Sequence, residues 1–228
     1  MKIRVIGCGG IAGRLLDTLC RFLNYHPDFQ DAEISLIDGD TYEEKNRDRQ
    51  AFDELGNKAE VTAKSLELQF PSIYFRAHPT YIDQDNIIML LREGDLIFSC
   101  VDNHATRKLV SDHCEELDNV VVISGGNDYI DGNVQVHIRK DGENLTLPIA
   151  NEYHPEIEEP EDESPADIDE REGGCDVEVV SEPQLLIANN YIAAGMLNAF
   201  YSYLEGEIDY DEAYLDVLAN KSSTRKRS

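Results

Sequence analysis

Short apolar runs alternate with stretches of helical spacing along residues 2–126. The apolar runs predict strands at residues 2–7, 32–38, 72–78, 95–102 and 119–126. Helical spacing predicts helices at residues 11–23, 58–70, 85–94 and 104–117. Continuous apolar runs are typical of strands that are buried on both faces. The pattern therefore predicts an α/β, Rossmann-like, largely parallel sheet with helices on both faces.

The pattern changes after residue 130, where antiparallel strands are expected to extend the sheet. Residues 132–149 suggest two strands that turn at Asp141 and Gly142. Residues 152–172 hold eleven acids, one base and three prolines, which predicts a mobile loop. An apolar helix is predicted at residues 183–204. We interpret residues 1–218 as one domain with an acidic loop at 151–183, and we expect the basic tail at 219–228 to be disordered.

The net charge of the chain favours some classes of binding partner over others. The chain has 46 acids and 20 bases, a formal net charge of −26. Nucleic acid is a poor partner for such a surface, because phosphate binding draws on basic side chains. The acidity favours a basic partner or a salty host.

The cysteines and the apolar runs indicate a cytoplasmic compartment. The five cysteines are an odd number, and none forms a C-x-x-C pair. A disulfide framework and a thiolate zinc site are both disfavoured. No apolar run approaches the roughly 20 residues of a membrane span, and no secretory signal precedes the first predicted strand, so no membrane association is expected.

A glycine-rich turn separates the first predicted strand from the first helix. The segment GCGGIAG places Gly7, Gly9 and Gly10 there, and Asp38 ends the second strand. Glycines allow a close approach to phosphate, and an acid in this position accepts hydrogen bonds from ribose hydroxyls. These features are compatible with NAD, FAD, S-adenosylmethionine or ATP, and also with a tight turn that binds nothing.

Polar residues beyond Asp38 favour a triphosphate. Asn46, Arg49 and Gln50 follow within twelve residues, and Lys58 stands at the start of a predicted helix. Two cations and two amides suit a triphosphate better than a dinucleotide. Asp102 comes at the carboxyl end of the fourth strand, where open α/β sheets bind ligands, and a carboxylate facing a triphosphate is a natural Mg²⁺ ligand.

These motifs in this order resemble the ubiquitin-activating-enzyme superfamily, whose bacterial branch contains the ThiF and MoeB adenylyltransferases. The resemblance is carried by the glycine turn, D-G-D-x5-N-R-D-R-Q, G-N-K-A-E-V and C-V-D-N-x3-R, from about residue 3 to residue 136. It implies binding of Mg·ATP and adenylation of a C-terminal carboxylate, usually the Gly-Gly tail of a ubiquitin-like or sulfur-carrier protein.

The resemblance also implies roles for particular residues. Asp38 would hold the ribose with Asp40 beside it, and Asp102 would place Mg²⁺. The other implied triphosphate ligands are Asn46, Arg49, Gln50 and Lys58. The acidic loop lies where the family has a segment that crosses over the substrate tail.

Two further expectations concern the transfer of the activated acyl group and the oligomeric state of the protein. Cys175 is a candidate nucleophile that would take the activated acyl group as a thioester or persulfide-linked intermediate, although acids surround it. A homodimer is expected from the family, whereas its structural zinc is not expected, because both C-x-x-C pairs are absent.

Three alternatives remain open at this point. The substrate could be a peptide or another small carboxylate, the chain could be a nucleotide-binding scaffold that no longer adenylates, or it could be an NAD-dependent oxidoreductase.

Overall fold

The computed structural model describes residues 1–29, 31–47, 50–127, 130–166 and 183–226. The strands of the main sheet are β1 (Lys2–Ile6), β2 (Glu33–Ile37), β5 (Tyr74–His78), β6 (Leu96–Ser99), β7 (Val120–Asn127), β8 (Asp131–Lys140), β9 (Glu143–Asn144), β10 (Tyr210–Asp216) and β11 (Lys221–Lys226). A small separate sheet pairs β3 (Thr41–Tyr42) with β4 (Gly56–Asn57). The helices are α1 (Gly10–Tyr25), α2 (Lys58–Gln69), α3 (Ile87–Leu90), α4 (His104–Glu115), α5 (Pro155–Glu158) and α6 (Pro183–Leu204).

The main sheet has a parallel half and an antiparallel half. Its strand order is β11-β10-β8-β7-β6-β1-β2-β5. Strands β5, β2, β1, β6 and β7 are parallel, whereas β8, β10 and β11 join antiparallel. The predicted fold class, with antiparallel strands after residue 130, is confirmed. The chain reverses its direction of strand addition at β1, between β2 and β6, and this is where open α/β sheets form a ligand crevice.

Each face of the sheet carries its own apolar core. On one face α1, α2 and α6 pack through side chains such as Leu15, Leu19 and Phe200, all at most 2% exposed. On the other face α3, α4 and α5 contribute apolar residues such as Leu90, Val110 and Ile157. Helices therefore lie on both faces, as the uninterrupted apolar strands predicted.

The prediction of a disordered basic tail is wrong for residues 221–226. They form β11, which pairs with β10 at the edge of the sheet. Five of its six residues are exposed, so the strand has almost no apolar pattern for the sequence to reveal. A polar contact helps to fix it: Arg225 Nη2 lies 2.8 Å from the carboxylate of Glu212, which is 0% exposed.

The prediction of a mobile loop at residues 152–172 is also wrong for residues 152–166. This part packs onto the fold although it is acidic, because it buries His154, Ile157 and Ser164. The carboxylate of Asp162 accepts hydrogen bonds from the backbone N–H groups of His104 (2.7 Å) and Ala105 (2.9 Å), at the start of α4. A carboxylate in this position satisfies free amides and complements the helix dipole.

Replacing Arg225 tests whether the contact of β11 with Glu212 stabilises the folded protein. We expect Arg225→Ala to lower the free energy of unfolding by about 1–3 kcal/mol, since a buried carboxylate loses a charged partner. Lys226→Ala is the matched control, because its pair with Asp209 is exposed on both sides and such pairs contribute about 0–1 kcal/mol. Urea unfolding measures both, and equal, negligible effects would contradict this account of β11.

Candidate active site

The glycine turn sits at the point where the strand order reverses. Gly7 has φ +83°, and a Cβ there would lie 3.0 Å from the Cys100 carbonyl oxygen of the loop after β6. A Cβ on Gly10 would clash with the side-chain amide of Asn189, which reaches across from α6. Glycine is therefore required twice, once for backbone conformation and once for close packing.

Asp38 holds the glycine turn in place. One carboxylate oxygen accepts the backbone N–H of Cys8 at 2.6 Å, and the other accepts that of Asp40 at 2.8 Å. The side chain is largely buried, and burial raises its pKa above the ordinary value, although the two backbone hydrogen bonds act to lower it. A carboxylate has further lone pairs, so these bonds leave acceptor capacity for a ribose hydroxyl.

Lys58 is a cation of this site, and Asp40 orients it. Its ammonium group lies 2.8 Å from Asp40 Oδ2, and the Tyr81 hydroxyl donates to Asp40 Oδ1. Burial acts to raise the pKa of Asp40, but these two hydrogen bonds outweigh it and the pKa is lowered. Lys58 is also the first residue of α2, where the Asn57 side chain caps the helix by accepting from Ala59 N.

Two amide side chains line the cavity that the glycine turn, Asp38 and Lys58 also line. Asn46 is 5% exposed, and its Oδ1 accepts the backbone N–H of Glu43 at 2.9 Å. Gln50 Oε1 is buried and has no hydrogen-bond partner among the residues that the structure describes. An unpaired buried acceptor is uncommon in folded proteins and indicates that a donor group belongs beside it.

Asp102 lies at the carboxyl end of β6, exposed to the cavity. Neighbouring Asn103 is already used, because its Oδ1 caps α4 by accepting from Thr106 N at 2.8 Å. Within the described ranges no group of three or more His, Cys, Asp or Glu side chains forms a metal cluster. A single carboxylate fits Mg²⁺ that arrives with phosphate groups, since Mg²⁺ keeps waters and binds few protein ligands.

All of these groups surround one cavity of about 610 Å³, which we call the glycine-turn pocket. Its lining includes nine predicted site residues: Gly7, Gly9, Gly10, Asp38, Asp40, Asn46, Gln50, Lys58 and Asp102. The predicted residues Arg49 and Cys175 lie outside the described residues. The cysteines Cys8 and Cys100 are buried, and burial raises the pKa of Cys100 to about 12.

Several polar residues of the glycine-turn pocket were not predicted from the sequence, among them Tyr81, Asn127 and Asn189. Tyr81 follows β5, and its ring packs against Gly39. Asn127, at the end of β7, donates to Asn189 Oδ1 at 2.9 Å. Asn189 had one visible signal, because a polar residue in the middle of an apolar helix needs a partner. No signal in the sequence pointed to Tyr81.

A second cavity, of about 1000 Å³, adjoins the glycine-turn pocket; we call it the sheet-edge cleft. Its lining comes from the end of β7, from β8, β10 and β11, from the start of α4 and from α5, and includes Arg107, Asn133, Glu156 and Tyr214. Asp102 and Asn127 line both cavities. The two cavities therefore meet at the carboxyl ends of β6 and β7, with Asp102 at the junction.

A network of ionisable side chains supports one wall of the cleft; His154 and Glu212 are buried in it, whereas Glu156 is half exposed. His154 Nε2 lies 3.0 Å from the carboxylate of Glu212, and His154 Nδ1 lies 2.8 Å from Glu156 Oε1. Asn133 Nδ2 donates to Glu212 Oε1 at 2.6 Å. Burial acts to lower the pKa of His154, but its bonds to the two carboxylates outweigh this and raise the pKa. The network ties the segment that carries Glu156 to β8 and β10.

An open α/β sheet with a glycine turn at its switch point defines a nucleotide-binding class of fold. The chain belongs to the ThiF family, whose model matches residues 1–223. This confirms the resemblance drawn from the ordered motifs.

Curated relatives are adenylyltransferase and sulfurtransferase proteins. UBA4 of Vanderwaltozyma polyspora is 27% identical over 129 residues, which cover 55% of this chain and 28% of UBA4. MOCS3 of Xenopus laevis is 28% identical over 117 residues, which cover 50% of this chain and 24% of MOCS3. The chain thus spans about three tenths or less of the length of these two relatives.

Solved structures share the fold. The structure of E. coli MccB with succinimide has a TM-score of 0.68 and 17% identity, and the match covers 99% of this chain and 63% of MccB. PaaA has a TM-score of 0.68 at 14% identity, with 99% and 63% covered. Among the described residues, no helix combines the length and apolar character needed to cross a bilayer.

The raised pKa of His154 predicts a stability that depends on pH. A histidine whose folded pKa lies above its unfolded value of about 6.5 stabilises the fold at lower pH, and this contribution is lost as pH rises through the folded pKa. We expect the free energy of unfolding to fall as the pH rises above about 6.5, and His154→Gln to remove most of that slope. His26→Gln, away from this network, should keep the slope; an unchanged slope in His154→Gln would contradict the role of His154.

Proposed function

We propose that the protein is an ATP-dependent adenylyltransferase that activates the C-terminal carboxylate of a ubiquitin-like or sulfur-carrier protein. One observation carries the proposal: the glycine-turn pocket and the sheet-edge cleft meet at Asp102. Adenylation requires a nucleotide and a carboxylate to be held end to end, so two adjoining cavities with a shared polar junction suit it.

ATP would occupy the glycine-turn pocket. The turn and the start of α1 offer backbone N–H groups to phosphate, and Asp38 offers acceptors to the ribose. Lys58 would neutralise phosphate charge from a position that Asp40 already fixes. Asn46 and Gln50 line the pocket beside it, and Arg49 stays a predicted ligand. MccB, which shares the fold, has been solved with ATP.

Asp102 would hold Mg²⁺ together with the phosphate groups. When bound, Mg²⁺ supplies positive charge that stabilises the phosphates during displacement of pyrophosphate. Asp102 suits this role because it is exposed at the junction and no basic side chain lies in ion-pairing distance among the described residues.

The acyl substrate would enter through the sheet-edge cleft. Its carboxylate oxygen attacks the α-phosphorus of ATP, an acyl–adenylate bond forms, and pyrophosphate leaves. The net charge of −26 favours a basic surface on the partner protein, since opposite charges steer encounter. Homodimerisation and transfer of the acyl group to Cys175 stay predictions.

A peptide or another small carboxylate is the second candidate substrate. The observation in its favour is the volume of the cleft, about 1000 Å³, which falls within the range of small-ligand sites. A scaffold that binds ATP without adenylating is the remaining alternative.

Exchange of labelled pyrophosphate into ATP tests the proposal. We expect exchange that depends on a ubiquitin-like or sulfur-carrier partner, and a loss of roughly a hundred-fold or more in Lys58→Ala and Asp102→Ala, because each removes a group that stabilises phosphate charge. Lys64→Ala on α2 and Asp112→Ala on α4 are matched controls, since both side chains form exposed ion pairs.

The pattern of exchange separates the alternatives. Exchange with small peptides but with no carrier protein would favour the second candidate substrate. ATP binding without exchange for any partner would favour the scaffold. Full exchange in Lys58→Ala would contradict the assignment of the glycine-turn pocket.

A further inference from the structure

Arg107 is a buried cation at the junction of the two cavities. It lies in the first turn of α4 and is 7% exposed. Its Nε and Nη2 donate to the carbonyl oxygen of Val101, at 3.2 and 2.8 Å, and Nη2 also donates to that of Gly125, at 3.0 Å. The regular pairing of β6 with β7 ends at Ser99 and Ser124, so Arg107 joins the two strands just beyond their ladder.

Among the residues that the structure describes, no carboxylate forms an ion pair with the guanidinium of Arg107. Burial lowers its pKa, while the charges of Asp102, Glu156 and Asp162 act in the other direction. None of these carboxylates comes within ion-pairing distance, and Nη1 forms no hydrogen bond with any residue that the structure describes. A buried charge that is bound only by carbonyl groups is costly unless an anion completes its surroundings.

Gly126 keeps Nη1 open to the sheet-edge cleft. Both residues line the cleft, and a Cβ on Gly126 would lie 2.7 Å from Arg107 Nη1 and 2.6 Å from Asn133 Oδ1. Any other residue at position 126 would therefore cover the free nitrogen. Gly126 has no left-handed φ that would demand glycine for conformational reasons.

We propose that Arg107 Nη1 binds the carboxylate of the acyl substrate, which makes Arg107 a substrate-binding residue. This inference rests on the proposed function. One carboxylate oxygen would accept from Nη1 while Nε and Nη2 keep their bonds to Val101 and Gly125. The other oxygen stays available to attack ATP, and Asp102, on the strand end that Arg107 anchors, stays beside it.

The binding of a peptide as free acid and as amide tests this inference without requiring turnover. The probe is a fluorescein-labelled decapeptide that ends in Gly-Gly, made in both forms and measured by anisotropy in the presence of a non-hydrolysable ATP analogue. We expect the wild-type protein to prefer the free acid by roughly ten- to a hundred-fold, the usual effect of one charge-assisted hydrogen bond. Arg107→Gln should abolish the preference.

Two further variants separate binding from a structural role. Gly126→Ala keeps the guanidinium charge but puts a methyl group 2.7 Å from the present position of Nη1, which must then shift or be covered, so this variant should also lose the preference, even where Arg107→Gln fails to fold. Lys108→Gln removes one positive charge from the next residue of α4, which pairs with Asp112 on the surface. This variant should keep the preference for the free acid. The affinity for ATP should be the same in all variants.

Several outcomes would overturn the inference. The first is a preference for the free-acid peptide that survives in both Arg107→Gln and Gly126→Ala. The second is a wild-type protein that binds the acid and the amide equally well. The third is a loss of affinity for ATP, instead of a loss of the preference, in the variants. Partner-dependent pyrophosphate exchange combined with any of these would leave the proposed function intact and remove only the role of Arg107. Absence of exchange would count against the proposed function itself.

Discussion

The close approach of β1 and β6 at their carboxyl ends is the constraint on which the site depends. Gly7 makes it feasible, because it adopts φ +83° and leaves no side chain between the two strand ends. Cys100 N donates to Ile6 O at 2.8 Å and Gly7 N to Ile37 O at 2.9 Å, so three strand ends converge there. A side chain at position 7 would push the β6 end away and separate Asp102 from the glycine turn.

The two cavities differ in the groups that hold their cations in position. The chain carries a net charge of −26, yet each cavity contains a positioned cation. Lys58 is held by an acid, which fixes its direction while its charge stays partly exposed to a ligand. Arg107 is held by carbonyl groups, which fix its position, and no carboxylate of the described residues forms an ion pair with it. Such fixed charges stabilise anions without reorganisation, which is the usual source of catalytic power in adenylation-type chemistry.

The parallel half of the fold and the antiparallel strand β8 could be predicted from the sequence, whereas the edge strands β10 and β11 could not. Strands β1, β2, β6 and β7 are buried on both faces, so their apolar runs were diagnostic. Strand β10 contains Glu212, which is buried only because His154, Asn133 and Arg225 reach it from distant positions. Local sequence carries no trace of such partners, and β11 is a strand because β10 offers it an edge.

The same distinction applies to the site. Residues that follow a strand end within a local motif, such as Asp38 and Asp102, were predictable. Residues brought in by tertiary packing, such as Tyr81 from the segment after β5, were not. Arg107 lay within the quoted C-V-D-N-x3-R motif, but its role became visible only when its carbonyl partners and Gly126 were in place.

Transfer of AMP to a carboxylate is the central claim, and intact mass spectrometry of the reaction tests it most directly. Protein, Mg·ATP and a ubiquitin-like or sulfur-carrier partner would be mixed and quenched in acid. The account predicts a partner species heavier by one adenylyl group, which is absent when the partner's C-terminal carboxylate is amidated. A partner that binds in the presence of ATP but never gains an adenylyl group would contradict it.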